Sequence, residues 1–195
     1  RPERYLPDLW PTYYSKSKGV FVWDLDDKKY IDMAQMAIGS AILGYSDDDV
    51  DESVFQSISK GVSNTLNNPQ EVLLAEKLLE LNPFAGGVKF ARTGGEAMAI
   101  AVRIARAYSG RDQIAFSGYH GWCDWYLAAN INDKDNLSNH LLPGLEAKGV
   151  SKNLINTIFP FEYNNLSELE IIIKDNDIGV IVMEGARYDF PKKEF

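Results

Sequence analysis

Residues 88–117, which read VKFARTGGEAMAIAVRIARAYSGRDQIAFS, decide the fold class of this 195-residue chain. Within them, residues 88–91 and 113–117 are short runs of apolar, aromatic and β-branched residues that predict strands. The alanine-rich run at 96–108, between the two, predicts a helix. A strand, a helix and a second strand at this spacing are typical of an α/β protein with a substantially parallel sheet.

The same alternation continues towards the end of the chain. A helix is predicted at 166–174, and the all-apolar run at 179–183 predicts a third strand. Residues 126–163 are less regular, and the polar run at 137–150, which is punctuated by proline and glycine, predicts a long surface excursion.

Other elements are predicted before residue 88. Residues 19–33 place two aromatic and β-branched runs on either side of a polar Asp/Lys turn, which predicts a β-hairpin. The acidic run from Asp47 predicts a helix that extends to Lys60 and stops at Gly61. A second helix is predicted at 68–82, and its amphipathic pattern indicates that it packs on a core.

The composition is that of a globular protein. Hydrophobic residues make up 45% of the chain and charged residues 25%, with 20 Lys and Arg against 28 Asp and Glu for a net charge of −8. Disorder and disulfide scaffolding are excluded, and the single cysteine, Cys123, favours a reducing compartment such as the cytoplasm. There is no membrane-spanning apolar stretch, and the acidic balance argues against a nucleic-acid surface. The expected partners are small molecules or protein.

The first candidate site is Thr93-Gly94-Gly95-Glu96, between the first predicted strand and the helix. Adjacent glycines let a backbone approach a ligand closely, and the start of the helix directs N–H groups and a positive dipole end at the same point. An anion would bind there. The alternative is a tight strand-to-helix connection in which the glycines supply positive φ angles.

The second candidate site lies just after the strand at 113–117. Tyr119 and His120 follow that strand, and ligands of open α/β sheets collect beyond the carboxyl ends of strands. An aromatic ring beside an anion site suits a flat, phosphorylated ligand. The alternative is a buried Tyr-His-Trp cluster, including Trp122, that closes the top of the sheet.

Glu184 is the third candidate, because it directly follows the apolar strand at 179–183. A carboxylate in that place either faces the ligand crevice or requires a partner, since burying an unpaired charge is costly. A metal site is not predicted, because His120, His140 and Cys123 are too few soft ligands for a structural zinc. Cys123 is expected to be a small buried apolar residue.

Three stretches together resemble class III, fold-type-I aminotransferases dependent on pyridoxal phosphate: FARTGGEA at 90–97, AVRIARAYSGR at 101–111 and YHG at 119–121. Within that class the chain is most similar to glutamate-1-semialdehyde 2,1-aminomutase-like proteins, over essentially its whole length. The resemblance implies an N-terminal segment with a β-hairpin at 1–45. It also implies an incomplete cofactor-binding large domain at 46–195, with a mixed, mostly parallel sheet flanked by helices.

The resemblance also implies roles for particular residues. Thr93, Gly94 and Gly95 would hold the phosphate of pyridoxal 5'-phosphate, and Gly95 stands where the family often has a hydroxyl residue. Tyr119 would stack on the pyridine ring with His120 beside it, and Glu184 would lie near the ring edge. The implied reaction is amino-group transfer from a small-molecule donor to an aldehyde or ketone acceptor, in a cytoplasmic homodimer.

Two departures from the family pattern qualify the implied activity. The family's Schiff-base lysine and the aspartate at the pyridine nitrogen both come after residue 195, and Lys192 and Lys193 are expected to be a solvated surface pair. These 195 residues alone are therefore expected to be inactive. The chain also lacks the aminomutases' substrate arginine within 10–20 and their tryptophan within 36–40, which favours another carbonyl substrate. The rival function is a non-catalytic phosphate-ligand-binding or interaction module.

Overall fold

The computed structural model describes residues 9, 11–34, 39–138, 146–186 and 190–194. The chain forms two compact units, Arg1–Leu74 and Ala75–Phe195, which are described separately below. Among the described residues there is no helix with the length and apolar character needed to cross a bilayer. His140 and half of the surface excursion predicted at 137–150, residues 139–145, lie outside the described residues.

The first unit contains a three-stranded antiparallel sheet in the order β1-β2-β3, formed by β1 (Tyr14–Lys18), β2 (Phe21–Asp24) and β3 (Lys29–Ile31). The predicted hairpin is confirmed as β2 and β3. Its turn is held by Asp24, whose Oδ1 accepts hydrogen bonds from the backbone N–H groups of Asp26 (3.0 Å) and Lys28 (2.9 Å). β1 was not predicted, because an exposed edge strand of serine and lysine has no apolar alternation.

Two helices follow, α1 (Asp48–Ser59) and α2 (Pro69–Leu81). Both predicted helices are confirmed, and α1 is capped by Asp47, whose carboxylate accepts a hydrogen bond from the backbone N–H of Val50 at 3.1 Å. The expectation that the second helix packs on a core is met only in part by the described residues, because no residue of α2 is fully buried. Ala75, Leu78 and Leu79, on its apolar face, are half-buried.

Tyr45 is tied to the antiparallel sheet by its side chain as well as its backbone. Its backbone bridges Gly19, and its hydroxyl donates a hydrogen bond to the carboxylate of Asp32. The hydrogen bond to Asp32, with some desolvation, raises the pKa of Tyr45 to about 12. The neutral phenol is therefore the form that the folded state stabilises.

This pair gives a pH prediction. Because the folded pKa of Tyr45 lies above its ordinary value of 10.0, the pair stabilises the fold fully below pH 10, and the stabilisation is lost as pH rises towards 12. The pair is close to solvent, so it is worth about 1 kcal/mol at most. In an ultraviolet tyrosine titration, Tyr45→Phe and Asp32→Asn should each remove one late-titrating tyrosine. An unchanged titration curve in both variants would contradict the pairing.

The second unit contains a parallel sheet in the order β5-β4-β6, formed by β4 (Gln113–Ser117), β5 (Ile158–Pro160) and β6 (Ile178–Met183). The helices α3 (Gly94–Ser109), α4 (Asp124–Leu127) and α5 (Leu166–Asp175) complete it. Ile114 and Phe116 share one core with Val102 of α3, whereas Ala115 packs with Leu169 of α5. The central strand is therefore covered on both faces, and the predicted α/β class with a mostly parallel sheet is confirmed.

Three predictions for this unit need correction. Residues 88–91 do not form a strand, because a strand needs a hydrogen-bonded neighbour and no described residue pairs with them. β5 lies in the region predicted to be irregular; its Pro160 is tolerated because β5 is an edge strand. Leu137, placed in the predicted surface excursion, is buried, and its backbone N–H donates to Asn130 Oδ1 at 2.9 Å.

Candidate functional site

The carboxyl ends of β4 and β6 lie side by side. Ser117 is in register with Met183, so Gly118 and Glu184 follow at the same edge of the sheet. Gly118 has φ +101°, and a Cβ added there would lie 2.5 Å from Glu184 Oε2. The half-buried Glu184 carboxylate therefore lies directly on the Gly118 backbone, at the end of the sheet where the sequence placed it.

The start of α3 leaves two N–H groups available to a ligand. Thr93 is the N-cap, and its Oγ1 accepts a hydrogen bond from the Glu96 N–H at 3.2 Å. Glu96 in turn accepts a hydrogen bond from the Arg92 N–H at 2.9 Å, which fixes the turn before the helix. The N–H groups of Gly94 and Gly95 donate to no described residue. Unpaired N–H groups and the positive dipole end at a helix start are the usual donors for an anion.

The alternative explanation of the glycine pair is wrong for this structure. Neither Gly94 nor Gly95 is among the described residues with positive φ. Packing does not demand glycine there either: a Cβ on Gly94 would meet nothing within 4 Å, and one on Gly95 would make ordinary contacts of 3.5–3.9 Å. Positive φ and crowding therefore do not explain the two glycines, of which Gly94 is exposed and Gly95 is buried.

The loop after β4 is pressed against this helix start. Gly121 has φ +102°, and a Cβ on it would lie only 2.8 Å from the Cα of Gly95. Two residues later, Cys123 Sγ donates to the carbonyl oxygen of Gly95 at 3.4 Å. The half-buried thiol of Cys123 thus has a structural contact, and the first and second candidate sites are brought together.

Tyr119 and His120 have different environments in that loop. The Tyr119 ring is 43% exposed and meets Tyr126 edge to face, with centroids 6.0 Å apart. His120 is buried, and its Nε2 lies 2.8 Å from the carbonyl oxygen of Ser117. A carbonyl oxygen only accepts, so Nε2 carries the hydrogen.

The buried aromatic cluster considered from the sequence does form, with different members. His120 packs with Trp125 and Tyr126, and the Tyr126 hydroxyl donates to the Gly118 carbonyl at 2.8 Å. Tyr119 lies at the exposed edge of this cluster, against Tyr126, and Trp122, 63% exposed, stays outside it. His120 therefore positions the loop, whereas the ring of Tyr119 is available to a ligand.

Sequence reasoning assigned no role to two residues that shape this edge. Tyr126 is fully buried beneath the loop, in a stretch read as irregular. Ser117 is also fully buried, and its hydroxyl has no hydrogen-bond partner among the described residues. A polar residue at the end of an otherwise apolar strand is a signal that could have singled out Ser117.

The residues present fit a flat ring that carries a phosphate. The glycine N–H pair supplies donors for the anion, Tyr119 supplies an aromatic face, and Glu184 supplies a carboxylate at the neighbouring strand end. Lys192 and Lys193 are exposed, as predicted for a surface pair. Pyridoxal phosphate is a ligand of this chemical class.

Comparison with known proteins places the chain in a family. Residues 7–184 match the sequence profile described as aminotransferase class-III. The chain is 34% identical to 3-aminobutyryl-CoA aminotransferase of Cloacimonas acidaminovorans, over 98% of this chain and 44% of that protein. It is 32% identical to glutamate-1-semialdehyde 2,1-aminomutase of Francisella philomiragia, over 95% of this chain and 43% of that protein.

A solved structure, a transaminase with PLP bound, superposes with a TM-score of 0.79 at 26% identity, covering 96% of this chain and 44% of that one. The chain thus spans less than half the length of the relatives it matches. The resemblance noted from the residues at 90–97, 101–111 and 119–121 is confirmed at the level of the family. The chain belongs to the class III aminotransferase family.

Proposed function

We propose that this chain supplies the phosphate and ring contacts of a pyridoxal-phosphate-dependent aminotransferase, similar to glutamate-1-semialdehyde aminomutase, acting on an amino donor and an aldehyde or ketone acceptor. The observation that carries the proposal is the pair of unpartnered N–H groups of Gly94 and Gly95 at the start of α3, with the exposed Tyr119 ring in the loop that contacts Gly95. When bound, pyridoxal phosphate supplies the electron sink for amino transfer.

Each residue in the site has a role that follows from its contacts. Thr93 satisfies the N–H of Glu96, so the two glycine N–H groups remain for the phosphate. Tyr119 packs on the ring, and buried His120 keeps the loop in place through its hydrogen bond to Ser117. Glu184, on the Gly118 backbone, presents a carboxylate towards the edge of the ring.

The test uses the full-length protein. Titration with pyridoxal phosphate, followed by its absorbance spectrum, should show binding, and an amino donor with a panel of aldehydes and ketones should show amino transfer. Binding without transfer to any acceptor would favour the rival, a non-catalytic phosphate-binding module. No binding would overturn the proposal. The 195 residues alone are expected to give no turnover, because the family resemblance assigns none of their lysines to the covalent link with the cofactor.

We also propose that the working protein is a homodimer. Apolar side chains of the first unit are highly exposed, with Met33 at 88%, Ile42 at 87% and Leu9 at 79%. Such surface is usually covered by a partner or by another domain. The first 45 positions contain further apolar and aromatic residues that lie outside the described residues: Tyr5, Leu6, Trp10, Met36 and Ile38.

Light scattering on the full-length protein checks the oligomeric state. We expect the mass of two chains at micromolar concentration, and a lower mass for the double variant Ile42→Lys, Leu43→Lys, because charges on exposed apolar positions oppose association. A monomer with full activity at micromolar concentration would contradict the proposed homodimer.

A further inference from the structure

Trp122 has an unusual position for a tryptophan. Its side chain is 63% exposed although it follows the buried Gly121, and its indole N–H donates to no described residue. Its Nε1 atom lies 3.9 Å from the point that a Cβ on Gly95 would occupy. A free side-chain donor therefore lies beside the helix start that presents the glycine N–H pair.

The residues on either side of Trp122 hold its backbone in that place. Gly121 touches the Gly95 backbone so closely that a Cβ would not fit, and Cys123 donates to the Gly95 carbonyl. Since both neighbours are fixed to the same residue of α3, Trp122 cannot move away from the helix start without breaking one of these contacts.

A phosphate group has several acceptor oxygens, and the described backbone offers it two unpartnered N–H groups, on Gly94 and Gly95. Gly95 itself contributes no side-chain donor. The point that a Cβ on Gly95 would occupy is bounded by Thr93 Oγ1 at 3.9 Å, Cys123 Sγ at 3.5 Å and Trp122 Nε1 at 3.9 Å. The Cys123 thiol already donates to the Gly95 carbonyl, and Thr93 Oγ1 accepts from the Glu96 N–H, so the Thr93 O–H and the Trp122 N–H are the two side-chain donors that remain there.

We propose that Trp122 is a further ligand of the cofactor phosphate and donates its indole N–H into the space left by the missing side chain of Gly95. The inference rests on the proposed function, because it takes pyridoxal phosphate to be the bound anion. It assigns the phosphate three converging donors, two from the backbone of α3 and one from the loop after β4.

The test compares two ligands that differ only in the phosphate, pyridoxal phosphate and pyridoxal, bound to the full-length protein. Trp122→Phe keeps an aromatic ring and removes the N–H, so we expect about a tenfold loss of affinity for pyridoxal phosphate, the effect of one hydrogen bond to a charged group. The affinity for pyridoxal should stay within about twofold, because pyridoxal has no phosphate that could accept that hydrogen bond. Inorganic phosphate should also compete less well in the variant.

Two further variants control the result. Trp125→Phe removes an indole N–H that is likewise without a partner among the described residues but is buried in the core. The ratio of the affinities for pyridoxal phosphate and pyridoxal should therefore not change. In the Trp122→Phe background, Gly95→Ser should restore much of the lost affinity, because a Cβ at Gly95 has ordinary contacts and the hydroxyl replaces the missing donor.

The outcomes separate the two proposals. Equal losses for both ligands, or no loss, would overturn the role of Trp122 while leaving the proposed function intact. Failure of the unaltered protein to bind pyridoxal phosphate would overturn the proposed function and the inference together.

Discussion

Replacing Gly121 by alanine is expected to destabilise the protein by roughly 3–4 kcal/mol and to weaken pyridoxal phosphate binding at the same time. The added Cβ would lie 2.8 Å from the Cα of Gly95, so backbone rather than a flexible side chain must move. Gly121 also has φ +102°, which adds strain for any residue with a side chain. The displaced loop would carry Tyr119 away from the start of α3.

A matched control is available in Gly61, which has φ +94° but nothing within 4 Å of an added Cβ. Gly61→Ala should therefore cost only the backbone strain, about 1 kcal/mol, and leave cofactor affinity unchanged. Denaturant unfolding and a pyridoxal phosphate titration measure the two effects. If both alanine variants lose the same free energy of unfolding, the close approach to Gly95 does not explain why residue 121 is glycine.

Gly95→Asp is expected to reduce the affinity for pyridoxal phosphate on the order of a hundredfold. A carboxylate would be placed among the donors that face the phosphate, and two like charges about 4 Å apart repel by several kcal/mol near a protein surface, of which solvent screens part. Tyr119→Ala should have a smaller effect, about 1 kcal/mol, because it removes only the stacking contact. Both affinities can be measured by absorbance titration.

Two controls distinguish these effects. Gly95→Asn has nearly the shape of the aspartate without its charge, so the difference between the two variants reports repulsion alone. With pyridoxal in place of pyridoxal phosphate, the aspartate penalty should vanish and the effect of Tyr119→Ala should persist. Negligible effects of both Gly95→Asp and Tyr119→Ala would show that the cofactor binds elsewhere.

Elements whose own residues carry a clear apolar run or clear end signals could be predicted from the sequence. β4 and β6 are continuous apolar runs, as strands covered on both faces must be, and α1 and α2 carry clear start and stop residues. Elements defined by their neighbours could not be predicted. β1 is a polar edge strand, β5 is a short edge strand ending in Pro160, and residues 88–91 have strand character without a described strand to pair with.

The candidate site was predictable as a set of strand and helix ends, but not in its internal contacts. The sequence placed Thr93, Gly94, Gly95, Tyr119, His120 and Glu184 at three such ends. It could not show that Gly121 packs on Gly95, because that contact depends on how the loop after β4 returns to α3. For the same reason it gave no indication that Trp122 would lie outside the aromatic cluster and His120 inside it.

The order of strands in the parallel sheet has a consequence for synthesis of the chain. β4 is the central strand, yet both of its neighbours are translated later, and β6 begins only at Ile178. At ordinary ribosomal rates, on the order of several seconds pass between the synthesis of Ile114 and Phe116, which are fully buried in the folded protein, and the synthesis of β6. The nascent chain therefore carries its most deeply buried strand without one of its two neighbours during this interval, which is when chaperone protection would matter most.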